Sequence, residues 1–247
     1  MKVALISNYP IADNAKWKRE LALKLRHQNI ELVIIYGRSS FLAHINSFFF
    51  RRKFRQKIYT PYSSKKFAKV DKKNFIQKIY NNYLFFRNNN FKTFTFLNIN
   101  SDKAIATLKS LECDYYITAL DQILSKKFVE AIPNILNIHY GKLPDIKGTS
   151  SSEWTLFETG ELYITLHFID NGIDTGEIVQ VKKIDLKDFD FNAVRMQIQK
   201  VIPDMYIKFI KEPKTASNKS SDNRGGKLYT YMHRDIKKIL FDKLNHR

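Results

Sequence analysis

Cysteine, glycine and long apolar runs are scarce in this chain of 247 residues, which has one cysteine and eight glycines. The single Cys113 excludes an intramolecular disulfide and indicates a reducing compartment. No apolar run approaches the roughly 18 residues that a membrane-spanning helix requires. The apolar start of the chain, Met1–Ser7, is too short for the core of a signal peptide. We therefore predict a cytoplasmic protein.

Acidic residues are also few: the chain has 24 Asp and Glu and 42 Lys and Arg, which gives a formal net charge of +18. Such a balance makes nucleic-acid binding the first hypothesis. However, residues 41–100 carry 13 basic and 1 acidic side chains, whereas residues 101–187 carry 9 and 13. Most of the excess charge therefore belongs to a basic, aromatic insertion at about 41–93.

This insertion has three interpretations. Its aromatic side chains can pack on the domain or at a homodimer interface, with the lysines in solvent. Its first part, residues 41–57, can lie on an anionic membrane surface, which would make the protein peripheral to the inner membrane. Basic residues interleaved with aromatics can also bind single-stranded nucleic acid. We rank packing first, membrane contact second and nucleic acid third.

Apolar strand patterns alternate with helical patterns, which is typical of an α/β domain with a mostly parallel sheet. Ser101 and Ser125 are predicted to cap two of the helices, and Asp190 to begin a long one. Residues 212–226 are predicted to form a polar loop. We predict a catalytic domain over 1–187 and a C-terminal helical extension over 188–247. The predicted strands include Val3–Ser7, Glu31–Tyr36, Asp114–Thr118, Ile135–His139, Leu162–Ile169, Ile178–Ile184 and a last one at Tyr229–Tyr231.

Side chains suited to catalysis gather between residues 134 and 177. Asn137 and His139 end an apolar strand two residues apart, so alternation places them on one face. Asp174 follows in a turn between Gly172 and Gly176. An amide can donate to a developing oxyanion, an imidazole can move a proton, and a carboxylate can orient the imidazole or accept a proton from an amine. This set suits acyl transfer without a covalent nucleophile.

Simpler interpretations exist for each part of this pattern. His139 alone also fits a buried structural histidine, and residues 170–176 also fit a hairpin loop. His167, inside an apolar strand, is interpreted as structural. One cysteine and scattered histidines offer no metal-ligand spacing, so no metal is predicted.

The combined string closely resembles the N10-formyltetrahydrofolate-dependent formyltransferase family. The family pattern is Asn-x-His, then a Leu-Pro-x-x-x-Gly loop, then Asp-x-Gly-x-Asp-x-Gly. The resemblance covers about residues 102–186 and implies a Rossmann-like formyltransferase fold with a mostly parallel central sheet, plus a short C-terminal extension. The matching positions, in order, are Asn137, His139, Leu143, Pro144, Gly148, Asp170, Gly172, Asp174 and Gly176.

The resemblance implies an enzyme in which an amine attacks the formyl group of the co-substrate N10-formyltetrahydrofolate directly, through a tetrahedral intermediate. Asn137 and His139 would stabilise the oxyanion, and Asp174 would assist removal of the amine proton. Lys142 and Lys147 can meet a diphosphate or remain in solvent. Trp154 can line the acceptor side or belong to the core. Backbone groups that would bind the pterin are those of Gln122, Ile123, Leu124, Asp170, Asn171 and Gly172.

Three features bear on which amine is formylated. The chain has no glycine-rich phosphate loop after its first strand, unlike glycinamide ribonucleotide enzymes. The 57 residues after Asp190 are too few for the carboxyl-terminal barrel of methionyl-tRNA enzymes. Gly141-Lys142 replaces the Ser-Leu that often precedes Leu-Pro in other branches. The features favour a bacterial sugar N-formyltransferase that acts on a nucleotide-linked amino sugar in polysaccharide biosynthesis. A methionyl-tRNA or glycinamide ribonucleotide acceptor, or a non-catalytic RNA-binding module, are the alternatives.

Overall fold

The computed structural model describes residues 1–8, 15–37, 85–86, 88–120, 122–186, 191–213 and 222–245. Most of the predicted basic insertion, including the proposed membrane contact at 41–57, therefore lies outside the described residues. So does the predicted domain boundary at 187/188. Within the described ranges, no helix has both the length and the apolar character needed to span a bilayer. The chain forms two compact units, Met1–Ile135 and Leu136–Arg247.

The first unit carries a parallel set of strands with helices between them. Its strands lie in the order β3-β2-β1-β4, and every pairing among them is parallel. Val3–Ile6 of β1 and the apolar centre of β2 are buried. The bounds are β1 (Lys2–Asn8), α1 (Ala15–His27), β2 (Glu31–Gly37), β3 (Lys92–Phe96), α2 (Asp102–Leu111), β4 (Tyr115–Ala119) and α3 (Lys126–Ala131).

Two serine caps begin helices of this unit where the sequence predicts them. The hydroxyl of Ser101 accepts a hydrogen bond from the Ala104 amide, and that of Ser125 accepts from the Phe128 amide. Each bond satisfies a backbone donor that the first turn of a helix leaves without an intrahelical partner. The buried thiol of Cys113 follows α2, and burial raises its pKa to about 11.

The second unit is built from antiparallel strands and longer helices. β7 pairs antiparallel with both β5 and β8. α5 packs on β7, where the Phe168 and Phe209 rings lie 5.9 Å apart. The bounds are β5 (Ile135–His139), β6 (Ile146–Gly148), α4 (Ser151–Thr159), β7 (Leu162–Phe168), β8 (Ile178–Ile184), α5 (Phe191–Lys211), β9 (Lys227–Tyr229) and α6 (Arg234–Asn245).

A separate two-stranded sheet joins β6 to β9 in parallel, with Ile146 opposite Lys227 and Gly148 opposite Tyr229. The sequence interpretation contains no strand at 146–148 and places the last strand at Tyr229–Tyr231, two residues late. Of the larger-strand pairings described within the two units, three are parallel and two are antiparallel, and the mixed α/β class with a mostly parallel sheet is confirmed.

Candidate active site

The end of β5 carries the two polar residues that the sequence singles out. In the antiparallel register with β7, Asn137 lies opposite His167 and His139 lies opposite Thr165. β7 leads into the turn that carries Asp174. The geometry brings the predicted trio together in the second unit and adds His167 as a fourth member.

His139 is buried, and both of its ring nitrogens face oxygen atoms. Nε2 donates to the Ile146 carbonyl at 2.8 Å, and Nδ1 lies 3.3 Å from Oδ2 of Asp174. A carbonyl oxygen only accepts, so Nε2 carries a hydrogen. The Asp174 carboxylate on the other side also presents an acceptor oxygen. The His139 ring therefore lies between two acceptor oxygens, one of which belongs to Asp174.

Asp174 is held in an uncommon backbone conformation, with a φ of 53° in the left-handed region. Its Oδ2 accepts a hydrogen bond from the Gly148 amide at 2.8 Å. Burial by itself would raise the pKa of this carboxyl, but the hydrogen bond and charge of His139 and the Gly148 amide outweigh it, and the pKa is lowered. Asp174 is therefore ionised at neutral pH.

His167 holds the side-chain amide of Asn137. Asn137 Nδ2 lies 3.2 Å from His167 Nε2, while His167 Nδ1 lies 2.7 Å from the Phe168 carbonyl. Nδ1 must donate to the carbonyl, which leaves Nε2 to accept from the amide. Burial, and then the charge of His139, lower the pKa of His167 to about 4. A neutral His167 therefore fixes which way the Asn137 amide points.

The interpretation of His167 as a structural residue did not foresee this contact. The available signal was a titratable ring in the middle of an apolar strand, since a buried polar group needs a partner. His167 Nε2 also lies 3.7 Å from Asp174 Oδ1. This second histidine thus lies beside both Asn137 and Asp174.

Gly141 leaves space for the His139 ring. A Cβ atom at this position would lie 2.8 Å from His139 Nε2 and 2.9 Å from the Ser151 Cβ. Real Cβ atoms essentially never come so close to another atom. A residue larger than glycine at 141 would displace either the imidazole or the start of α4.

The predicted pterin contacts lie in two loops, one in each unit. Gln122, Ile123 and Leu124 stand between β4 and α3 in the first unit, where Ile123 is exposed and its carbonyl accepts from Asn100. The Asp170-Asn171-Gly172 turn is exposed in the second unit. Asp170 Oδ1 accepts from the Gly172 amide and the Thr175 hydroxyl, which fixes the shape of the turn. Pterin binding by these residues stays a prediction.

The three predicted substrate-side residues have different surroundings. Lys142 Nζ pairs with Asp145 Oδ2 at 3.0 Å on the surface. Lys147 is buried, and its ammonium donates to the carbonyls of Asn223 and Gly225, each at 2.8 Å. Trp154 donates from Nε1 to the Thr230 carbonyl. These contacts give Lys147 and Trp154 roles inside the fold, and substrate binding by all three stays a prediction. In the described part of the chain, no group of His, Cys, Asp and Glu could hold a metal ion.

The profile of the formyl transferase family matches residues 29–208. The chain belongs to this family. Curated relatives include methionyl-tRNA formyltransferases of Sulfurimonas denitrificans, 34% identical over 89 residues, and Thermodesulfovibrio yellowstonii, 36% identical over 93 residues. The matches cover 34% and 36% of this chain but 28% and 30% of those proteins. The chain thus spans less than a third of the length of these relatives.

Solved structures of formyltransferases share the fold of this chain. A sugar N-formyltransferase from a Shewanella species superposes on this chain with a TM-score of 0.56 at 14% sequence identity. The superposition covers 98% of this chain and 87% of the Shewanella chain. PseJ from Anoxybacillus kamchatkensis was solved in complex with UDP-4,6-dideoxy-4-formamido-L-AltNAc and tetrahydrofolate. It superposes on this chain with a TM-score of 0.51 at 17% sequence identity, and the superposition covers 98% of this chain and 90% of the PseJ chain. Glycinamide ribonucleotide transformylase 1 from Symbiobacterium toebii has a TM-score of 0.59 at 15% identity, covering 88% of each. The predicted Rossmann-like formyltransferase fold is confirmed.

Proposed function

We propose that this formyltransferase moves the formyl group of N10-formyltetrahydrofolate to the amine of a nucleotide-linked amino sugar. The observation that supports formyl transfer most is the connected cluster of Asn137, His167, Asp174 and His139, in which each member has a defined hydrogen-bonding state. Formyl-folate is the donor that this family uses.

Asn137 is the proposed oxyanion donor. Its amide has two N–H groups, and the one directed at His167 fixes the plane of the other. A donor fixed before the reaction stabilises the negative charge that develops on the formyl oxygen without reorganising. His139 is the second residue proposed to stabilise the oxyanion.

Asp174 and His139 are the proposed proton-transfer pair. The amine nitrogen forms a bond to the formyl carbon, and the formyl oxygen takes the negative charge. The proton lost by the amine passes through this pair to N10 of the folate, and the carbon–N10 bond then breaks. The products are a formamide and tetrahydrofolate, so atoms and charge balance. An ionised Asp174 is required, and its lowered pKa supplies that state.

The extent of the fold match supports a sugar acceptor. Sugar N-formyltransferase folds cover 98% of this chain, whereas the two glycinamide ribonucleotide folds with the same or higher TM-score cover 86% and 88%. The methionyl-tRNA relatives match no more than 40% of the chain. The sequence of residues 9–14, after β1, contains no glycine, which agrees with this choice.

An acceptor panel tests the proposal. The purified chain is incubated with N10-formyltetrahydrofolate and nucleotide-linked 3-amino and 4-amino dideoxy sugars, methionyl-tRNA or glycinamide ribonucleotide. Mass spectrometry should detect the formamide of at least one amino sugar, and an Asn137→Ala variant should remove it. Formylation of methionyl-tRNA or of glycinamide ribonucleotide alone would refute the sugar acceptor. Folate binding without turnover on any amine would instead support the non-catalytic RNA-binding module.

A further inference from the structure

The segment 222–230, which precedes α6, lies beyond residue 208, where the family match ends. The sequence predicts only a polar loop and the start of a strand here. In the structure this segment contains β9 and contacts the residues that hold His139 and Asp174. Through Asn223, it bonds directly to Asp174.

β6 bonds to both members of the proposed proton-transfer pair. The carbonyl of Ile146, its first residue, accepts from His139 Nε2 at 2.8 Å. The amide of Gly148, its last residue, donates to Asp174 Oδ2 at 2.8 Å. A displacement of β6 would therefore lengthen both hydrogen bonds at once.

The segment 222–230 holds β6 in place. β9 is the strand that pairs with β6 in their two-stranded sheet. Lys227 donates its amide to the Asp145 carbonyl, and the Thr149 amide donates to the Tyr229 carbonyl, so bonds flank β6 at both ends. A strand of three residues has few hydrogen bonds of its own, and its position depends on this partner.

Asn223 clamps the turn that carries Asp174. Its Nδ2 donates to the Asp174 carbonyl at 2.9 Å and to the Gly176 carbonyl at 2.6 Å. Only 6% of Asn223 is exposed. The left-handed conformation of Asp174 is unfavourable for a residue with a Cβ and persists only where its surroundings enforce it. The two bonds from Asn223 hold the backbone at Asp174 and at Gly176, on either side of Thr175, and so help to enforce it.

Lys147 links β6 to the segment 222–230. Its side chain leaves β6, and its ammonium donates to the carbonyls of Asn223 and Gly225. Only 7% of Lys147 is exposed, so this charge is desolvated and depends on the two carbonyls. The backbone of Asn223 is thereby fixed to the strand that bonds His139, while its side chain is fixed to Asp174.

We propose that the segment 222–230 positions the His139–Asp174 pair and that Asn223 is its principal positioning residue. Asn223 acts through Asp174 and does not touch the substrate. This inference rests on the formyl transfer proposed above, in which the pair moves the amine proton. It assigns a role in the reaction to a residue outside the region that the family match covers.

Kinetics of Asn223→Ala test this inference. Misplacement of a reacting group by about 1 Å costs up to about 100-fold in rate, so we expect kcat to fall about 10- to 100-fold and KM for both substrates to change much less. Asp174 should lose part of its contact with His139 and Gly148, so the acidic limb of the pH profile should move to higher pH. Arg224→Gln is the matched control, because this exposed side chain of the same segment pairs with Asp222 and should leave kcat unchanged.

Imidazole ¹⁵N spectra of the same variants provide a readout that needs no turnover. Asn223→Ala should shift the His139 ring signals, identified by their loss in His139→Gln, whereas Arg224→Gln should not. If wild type formylates no amine, this shift still supports the positioning role while the proposed function fails. If Asn223→Ala does not fold, Asn223→Ser retains one donor and takes its place. A variant with wild-type kcat, pH profile and His139 signals would overturn the inference.

Discussion

His139 and His167 lie in one site, with ring centroids 6.3 Å apart, but the regions around them differ. Around His139, the Ile146 carbonyl and the Asp174 carboxylate both require a donor. Around His167, one carbonyl requires a donor and one amide requires an acceptor. The same side chain thus lies between two acceptor oxygens in one region and between an acceptor and a donor in the other. Two roles, proton transfer and orientation of an oxyanion donor, follow from these different partners.

Removing the negative charge of Asp174, which lies beside His139, should have the largest effect on turnover. Asp174→Asn keeps one oxygen that can still face His139 Nδ1 and the Gly148 amide, but it removes the negative charge that the proposed proton transfer requires. By analogy with other histidine–carboxylate pairs, we expect kcat to fall about 10³- to 10⁴-fold. Steady-state turnover with the identified amine measures this loss. Asp185→Asn, an exposed residue just after β8, should retain wild-type turnover, and an equal loss there would contradict the assignment.

Replacing His167 should show whether its acceptor nitrogen matters. His167→Phe fills the site but leaves the Asn137 amide without its acceptor. We expect kcat to fall by about 10- to 100-fold, which is less than the roughly 100- to 1,000-fold loss when an oxyanion donor is removed outright. His167→Gln retains an acceptor oxygen and should lose less. Turnover of the two variants, with circular dichroism to verify folding, makes the comparison. Equal losses would indicate a volume effect and no orientation of Asn137.

Crowding the His139 ring should have a smaller effect. In Gly141→Ala the new Cβ must displace His139 or Ser151, and a partial displacement should lower kcat about 10-fold. Ser151→Gly removes one of the two clashes, so the double variant should recover part of the activity. A double-mutant cycle of turnover rates measures this coupling. Additive losses would show that α4 and His139 do not share the space beside residue 141.

The smallest expected effect is on the pH dependence of stability, which tests whether His167 is neutral in the folded chain. His167 takes up a proton near pH 6.5 in the unfolded chain but only near pH 4 in the folded one. Its contribution to stability is therefore complete above pH 6.5 and is lost as the pH falls towards 4. Between about pH 7.5 and about pH 5.5, wild type should lose about 1 kcal/mol more than His167→Gln. Urea unfolding at both pH values measures the difference, and parallel losses would contradict a neutral, buried His167.

The sequence predicts best those features whose partners are close along the chain. Ser101 and Ser125 cap helices because each hydroxyl meets an amide three residues later. The strand with Asn137 and His139 is predicted at its observed bounds because its apolar alternation is local. The trio was found from its motif, and the structure brings its members together.

What the sequence did not predict depends on distant contacts. β6 has three residues and no readable periodicity, and it exists through pairing with residues about eighty positions later. In the sequence, Asn223 is one of several polar residues in a predicted loop. In the structure, the pairing of β9 with β6 places it against Asp174. For Lys147 the sequence leaves a diphosphate contact and a position in solvent open, whereas in the structure the same pairing brings its ammonium to the carbonyls of Asn223 and Gly225. In each case the deciding partner lies far away in the sequence.

The buried thiol of Cys113 has a practical consequence for spectroscopy. With a pKa of about 11, this thiol carries almost no thiolate at neutral pH, and thiolate is the form that reacts with maleimides and iodoacetamides. A cysteine introduced at an exposed position such as Arg224 would then be labelled selectively, without removal of the native one. A fluorophore or spin label there would report how the segment 222–230 moves during turnover.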